Sequence, residues 1–381
     1  MNDTLLVMNA GSSSLKFRLF ALEENLTSPL GGEVGGIGLA PVFETRGMSG
    51  AQERKELPAH YTLDDVVTWV LSWLDGADQL WRLRAAGHRI VHGGERYHGP
   101  ARLDDVALSY LRSLEPLAPL HQPHNLAVVA ALAKACPDLV QYGCFDTAFH
   151  ADLPALATTL PLPRSIRDRG VRRYGFHGLS YSWIARCLIR DFPRLAAGRV
   201  VAAHLGNGAS LCALKDGSSV DTSMGLTALD GLPMGTRCGA IDPGVVLHLQ
   251  QGLGLGLSDV EHMLYEDSGL KGLSGESSDV RVLLTSPRPE ARFALEYFAY
   301  RTAQQVAMMA VAMGGIDGLV FTGGIGEHAA FVRDRILARL AFLPPFETHI
   351  IAADEESAMA ADIFAMMTKS PPKLGQDQIL A

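Results

Sequence analysis

Apolar residues run together at Leu5-Leu6-Val7-Met8, give way to the small set Asn9, Ala10, Gly11, Ser12, Ser13 and Ser14, and resume from Leu15 to Phe20. Short apolar runs bounded by Gly and Ser predict two strands joined by a tight turn. The pattern returns mid-chain at Val200 to Leu214, VVAAHLGNGASLCAL, again as strand, Gly/Asn/Ser turn and strand. Elsewhere the spacing of apolar positions predicts helices. Thr62 to Asp65 reads as a capping box opening a helix through Leu74, with Val66, Val67, Val70, Leu71 and Leu74 on one face. Further helices are expected over Leu103 to Leu114, Asn125 to Cys136, Ser180 to Phe192, Val245 to Gln251 and Ser258 to Glu266, the last capped by Ser258 with Glu261. Glu290 to Met313 is apolar on nearly every side and predicts a buried central helix. Ala329 to Leu340 and Glu355 to Met367 complete the helices, and short strands are expected at His88 to His92, Val140 to Cys144, Gly318 to Thr322 and His349 to Ala352. GGEVGGIG (Gly31 to Gly38), Pro116 to Asn125 and the Gly/Met-rich stretch Asp221 to Gly244 read as turns or irregular chain. Strands followed by helices, given twice, predict a duplicated α/β fold with mixed sheets.

Composition narrows the class. A chain of 381 residues can bury two sizeable cores, and 48% hydrophobic with 19% charged residues suits a soluble globular enzyme. A formal net charge of −8 argues against nucleic acid as a partner. Anionic substrates must therefore be attracted by local arginines rather than by the overall field. The five cysteines are scattered without a CxxC pair, which fits a reducing, cytoplasmic setting. The sequence shows neither signal-peptide character at MNDTLLVMNAG nor an apolar run long enough to span a bilayer, so no membrane association is expected.

Candidate chemistry gathers at the turns. The first hairpin turn offers backbone N–H groups and hydroxyls to phosphate oxygens, with Lys16 as a point charge beside it. Alone it reads as an ordinary Ser-rich hairpin, and the second copy is what favours a phosphate site. The strand–Gly-Gly–helix unit at Gly318 to Leu340 lets backbone pass close beneath a base or phosphate. Arg89 ends a strand before HGGE. Arg237 sits in PMGTRCG, where Gly235, Thr236 and Gly239 leave the guanidinium room for bidentate contact with a carboxylate or phosphate. The arginines at 164, 167, 169, 172 and 173 read as solvated surface charges. His121, His177 and His204 lie in Gly/Pro/Asn turns without metal-ligand spacing, which discounts a transition-metal site. Asp146 and Glu355 are hard oxygen donors of the kind Mg²⁺ uses.

Seven ordered motifs go further. MNAGSSSLKF, GHRIVHGGE, FDTAFH, RRYGFHGLSY, HLGNGAS, DTSMGLTALDGLPMGTRCGAIDPG and FTGGIGE follow one another from residue 5 to about residue 362. In order and spacing the chain resembles the acetate kinase (acetokinase) family. That resemblance implies two ribonuclease-H-like domains of the actin-like ATPase kind around a nucleotide cleft. The N-terminal one would cover residues 1–147, joined by a C-terminal helix at 355–381, and the nucleotide-binding one 148–354. It also implies Mg²⁺-dependent, reversible transfer of the γ-phosphoryl of ATP to acetate, giving acetyl phosphate and ADP. Mn²⁺ is an alternative ion, and a homodimer is expected.

Residue by residue, the resemblance implies that Asn9 and Glu355 hold the metal and that Lys16, Ser12 and Ser14 lie near the phosphates. Arg89 and Arg237 would clamp the acyl carboxylate and the phosphoryl group. His177 would donate a hydrogen bond to that group, with His121 nearby, and Asp146 would position partners. His204, Leu205, Gly206, Asn207 and Gly208, with Asp279, Val280 and Arg281 and with Gly324, Ile325, Gly326, Glu327 and His328, would bind ATP. Val91, Leu120 and Phe176 would line the acyl pocket.

Three positions depart from the family pattern. Ala228 stands where a proline is usual in the acyl pocket wall, which opens propionate as a competing substrate. His328 replaces an asparagine next to adenine, and Ala240 replaces an aspartate with no consequence we can derive. The alternatives are propionate kinase, with the same chemistry, and a non-catalytic actin-like nucleotide switch. A metal-dependent hydrolase built on the His/Asp loops ranks last, since ligand spacing is missing.

Overall fold

A computed structural model describes residues 2–11, 13–47, 52–77 and 81–368. Ser12 and the stretch beyond Thr368, including the uninterpreted segment Ser370 to Ala381, lie outside the described residues. Two compact units emerge. The first takes the described residues of Met1–Val91, Gly99–Phe145 and Glu356–Ala381, and the second His92–His98 and Asp146–Glu355.

In the first unit, β1 (Asn2–Ala10), β2 (Ser14–Ala21), β3 (Leu30–Gly35), β4 (Val42–Gly47) and β5 (Gln52–Glu56) form an antiparallel run. On its other edge β1 pairs in parallel with β6 (Trp81–Ile90), β6 with β8 (Val140–Phe145), and β7 (Ala101–Arg102) closes the sheet. The second unit holds β9 (Arg199–Leu205), β10 (Ala209–Lys215), β11 (Ser218–Thr222), β12 (Gly318–Thr322) and β13 (Glu347–Ile350). Its order is β11-β10-β9-β12-β13, antiparallel over the first three strands and parallel over the last two pairings. The first sheet contains the same order as β3-β2-β1-β6-β8. The fold is a duplicated ribonuclease-H-like α/β architecture, and both hairpins read from the sequence occupy the same place in it.

Packing explains where the sequence misled. Gly31 and Gly32 lie in β3 rather than in turns, where they leave room for the Arg18 and Phe17 side chains of β2. A Cβ on Gly32 would sit 2.8 Å from the Phe17 ring and 2.8 Å from the Glu44 carbonyl oxygen. Phe17 thereby reaches Phe43 at 6.1 Å, and Trp69 and Trp73 meet Phe43 edge-on at 4.6 and 4.8 Å. Each such pair adds about 0.5–1.5 kcal/mol beyond burial. Pro116 to Asn125 is not all loop, since a helix begins at Gln122 with Pro123 in its first turn, where its missing N–H costs nothing. The helix Leu257–Glu266 is capped at Gly256, whose N–H is accepted by Asp259 3.2 Å away, and not at Ser258. Thr62 and Asp65 do form the reciprocal cap of the helix Leu63–Ala77, at 2.8 and 3.3 Å.

Pro289–Met313 is the longest helix among the described residues but is not buried all round. Ala294, Phe298, Thr302, Val306 and Met309 face the core, while Phe293, Tyr300, Met308 and Val311 are 47–82% exposed along the opposite stripe. Arg199 and Asp317 fasten the starts of β9 and β12, with Asp317 accepting from Nε at 2.9 Å, from Nη2 at 2.7 Å and from the Arg199 N–H at 2.8 Å. The guanidinium holds the Asp317 carboxyl down to about 2. The C-terminal helix Glu355–Thr368 packs its Ile363 onto Gly87 of β6, returning the chain to the first sheet.

Candidate active site

The second hairpin is where candidate groups converge. His204 is the penultimate residue of β9, not part of a turn, and Gly206, Asn207 and Gly208 connect β9 to β10. The Asn207 carbonyl oxygen accepts the Gly235 N–H at 2.9 Å, and Leu270 and Lys271 donate to the carbonyls of Met234 and Gly235 at 2.8 and 2.9 Å. This lattice holds the irregular PMGTR segment against the hairpin turn. Arg237 Nη1 donates to the Ala228 carbonyl at 3.0 Å and touches Met234 Sδ at 3.6 Å. A Cβ built on Gly208 would stand 3.3 Å from His177 Nε2 and 3.9 Å from Arg237 Nη1. Both nitrogens therefore face the same turn.

His177 is set there by its backbone. It occupies the left-handed region (φ 59°) immediately before the helix Gly178–Asp191, a costly conformation for a residue with a Cβ. The next residue must be glycine, because a Cβ there would lie 2.3 Å from the Asp146 carbonyl oxygen, which accepts the Gly178 N–H at 2.8 Å. Asp146 is itself buried at the start of the second unit. Before His177, the Phe176 carbonyl meets His150 Nε2 at 3.1 Å, and His150 Nδ1 meets Ser219 Oγ at 2.8 Å. The carbonyl can only accept, so Nε2 donates and Nδ1 accepts. Burial pushes the His150 imidazole down to about 4, which keeps it neutral in this role. Arg164, Arg167 and Arg169 are exposed as expected, but Arg173 is not a solvated surface charge. Its guanidinium donates to the carbonyls of Ala157, Thr222, Ser223 and Met224 at 2.9–3.2 Å, tying the 170s loop to β11.

Beside the turn lies a cavity of about 490 Å³, lined by Gly206 and Asn207, by Asp279, Val280 and Arg281, and by Gly324, Ile325 and His328, together with Ser278, Leu284 and Ala329. Three separate sequence motifs thus share one wall, and the volume suits a small-molecule ligand. Asp279 caps the helix Val280–Thr285 through the Arg281 N–H at 2.8 Å and pairs with the Arg281 side chain at 2.6 Å. Leu205, Gly326 and Glu327 stand behind this wall. Leu205 is fully buried, and Glu327 Oε1 accepts the N–H groups of Gly323 and Ala353, each at 3.0 Å.

In the first unit, Asn9 pairs with Lys16 across β1 and β2, and Ser14 opens β2 beside Gly11. Lys16 borders an open groove with Arg18, Glu33, Glu44 and Glu356. Arg89 is half-buried in β6 next to Cys144 of β8. Buried Val91 follows it, with its N–H donating to Asn125 Oδ1 at 3.0 Å, and Asn125 Nδ2 donates to the Ala10 carbonyl at 3.1 Å. Asn125, which the sequence reading missed, therefore couples the end of the Arg89 strand to the first hairpin turn. Leu120 is 37% exposed, and His121 stands at the N-terminus of the helix Gln122–Ala135. Phe176 is buried in the second unit against His92, and Glu355 is that unit's last residue.

The motifs that furnish these walls are also the ones that relate the chain to known proteins. The family model described as the acetokinase family matches residues 4–361. The chain belongs to the acetokinase family. It is 47% identical over 348 residues to the acetate kinase of Rhodopseudomonas palustris strain TIE-1, covering 90% of this chain and 87% of that protein. Among solved structures, a propionate kinase from Francisella tularensis superposes with a TM-score of 0.88 at 32% identity, over 94% of this chain and 98% of that one. The acetate kinase of Porphyromonas gingivalis gives 0.84 at 32% identity, over 96% and 100%. As a member of the acetokinase family, the chain is a phosphotransferase. Ser210, Tyr181 and Ser180, which touch the site histidines, escaped the sequence reading; the signal was the hairpin register that sets Ser210 opposite His204.

Proposed function

We propose that this chain transfers the γ-phosphoryl group of ATP to acetate, reversibly and in a single in-line step, giving acetyl phosphate and ADP. The observation carrying this reading is that His177 Nε2 and Arg237 Nη1 face the Gly208 turn, whose neighbours Gly206 and Asn207 line the cavity assigned to ATP. A carboxylate is ionised at neutral pH, so the acceptor needs no general base. The barrier lies in bringing two anions together and in the charge spread over the equatorial oxygens. In this reading Arg89 orients the acetate, Arg237 and His177 stabilise the phosphoryl oxygens, and Asp146 positions its neighbours. Val91, Leu120, Phe176 and His121 are the residues this reading assigns to the acyl group. In the same reading Lys16 and Ser14 would lie near the phosphates, and His204 to Gly208, Asp279 to Arg281 and Gly324 to His328 would hold the nucleotide.

The donor chemistry fits Mg²⁺. Asn9 offers an amide oxygen and Glu355 a carboxylate, both half-buried, and Mg²⁺ prefers a few such oxygens together with substrate phosphates and water. When bound, the ion would neutralise phosphate charge; Mn²⁺ would suit the same donors. The exposed stripe Phe293, Tyr300, Met308 and Val311 supports a homodimer. Five free cysteines support a cytoplasmic site of action, and among the described residues no helix is long and apolar enough to cross a membrane.

The second reading, propionate as a competing substrate, draws on Ala228, whose carbonyl is an Arg237 contact. One methylene changes discrimination by only about 1–3 kcal/mol. Acyl hydroxamate formation from ATP with acetate, propionate and butyrate tests both readings. Acetate should turn over, with propionate kcat/KM within roughly tenfold of it and butyrate lower. No hydroxamate from any acid contradicts the kinase reading, and discrimination against propionate beyond about two-hundredfold removes the second one.

A further inference from the structure

Two side chains without a task so far stand directly behind His177. Its Nδ1 lies 2.9 Å from Ser210 Oγ, and that oxygen lies 2.5 Å from the Tyr181 hydroxyl. Ser210 and Tyr181 are both fully buried and come from different elements, β10 and the helix Gly178–Asp191. The His177 ring also stacks on His204, with centroids 4.4 Å apart and planes 25° apart, and His204 Nδ1 is met by Ser180 Oγ at 2.9 Å. The imidazole is thus fixed on one face and along one edge.

Counting protons along this chain gives it a direction. Burial pushes the Tyr181 phenol well above its ordinary value, so the hydroxyl keeps its proton. Among the described residues, the side-chain acceptor it reaches is Ser210 Oγ. A serine hydroxyl has one proton to give and two lone pairs to accept with. A Ser210 that accepts from Tyr181 has its one proton left for its other neighbour, His177 Nδ1, 2.9 Å away. That nitrogen is then the bare one, and Nε2 carries the N–H.

We infer that Ser210 and Tyr181 are positioning residues that hold His177 as its neutral Nε2–H form, with that N–H aimed at the Gly208 turn beside Arg237. The inference rests on the reading of His177 as a donor to the transferring phosphoryl group. No proton moves along the chain during turnover; the relay decides which ring nitrogen donates and where it points. Preorganised donors of this kind stabilise developing charge without reorientation during the reaction.

The test uses the whole chain. In ¹⁵N NMR of the labelled protein, with His177 assigned by comparison with His177→Ala, Nε2 should be protonated and Nδ1 bare. Ser210→Ala should lower kcat by about tenfold, the worth of one hydrogen bond to the ring, while leaving KM for acetate and ATP within about twofold. Ser210→Thr keeps the hydroxyl and should restore most of the rate. Tyr181→Phe, which keeps the ring in the core, should lower kcat in the same direction. In a His177→Ala background, Ser210→Ala should cost nothing more, because its effect runs through the imidazole. A His177 protonated at Nδ1 overturns the inference, and so does a Ser210→Ala loss of equal size with and without His177. Unchanged turnover in His177→Ala would instead overturn the site reading on which the kinetic part depends, while the ¹⁵N measurement still decides the tautomer.

Discussion

Replacing Arg237 by alanine is expected to lower turnover by roughly a hundredfold or more, the loss seen when a preorganised charge donor is removed. The physical case is specific to this loop. The guanidinium is anchored through Nη1 to the Ala228 carbonyl at 3.0 Å, and the segment beneath it is bound to Asn207 by the Gly235 N–H at 2.9 Å. An arginine held this way needs no reorganisation when charge builds on the phosphoryl oxygens. Lysine should rescue poorly, since an ammonium cannot keep the Ala228 contact and still present a planar fork. Steady-state kinetics on a variant with the wild-type melting temperature provide the check. Near-normal turnover by Arg237→Ala would remove Arg237 from the chemistry.

The largest expected effect on stability is acid lability between pH 6.5 and 4. Burial pushes the imidazoles of His88, His92 and His150 down to about 4, below their ordinary value of 6.5. Above pH 6.5 both the folded and unfolded chains hold these rings neutral, and they add no slope. As pH falls, the unfolded chain takes up protons that the folded one refuses, so stability drops through this window. Each ring contributes on the order of 3 kcal/mol when the whole window is crossed. Arginine-paired carboxylates act in a different range. Asp317, held down to about 2, loses its contribution only as pH falls below its ordinary 3.8. Thermal melts should therefore show Tm nearly level from pH 8 to 7 and falling steeply from 6.5 to 4.5. A level Tm across that range, or NMR titration of these rings near 6.5, contradicts the burial argument.

What the sequence made legible, and what it hid, follows from the range of the forces involved. The hairpins, the helix Pro289–Met313 and the strand Gly318–Thr322 carry local period and capping signals, and they lie within a few residues of the expected ends. The strand at Gly31 and Gly32 was hidden because its logic is contact with Arg18 and Phe17 on another strand. Arg173 read as solvated because nothing nearby in sequence shows the four carbonyls it collects. The motifs Gly206 to Gly208, Asp279 to Arg281 and Gly324 to His328 were legible as segments, and the fold gathers most of them on one cavity. Asn125, Ser210 and Tyr181 were not, since their roles arise only from register and packing.

The central claim is that phosphorus passes straight from ATP to an already ionised carboxylate. The stereochemical course at a γ-phosphorus made chiral with oxygen isotopes tests it most directly. One in-line displacement predicts inversion in the acetyl phosphate formed. Retention, the signature of two displacements through a phosphorylated side chain, would contradict it.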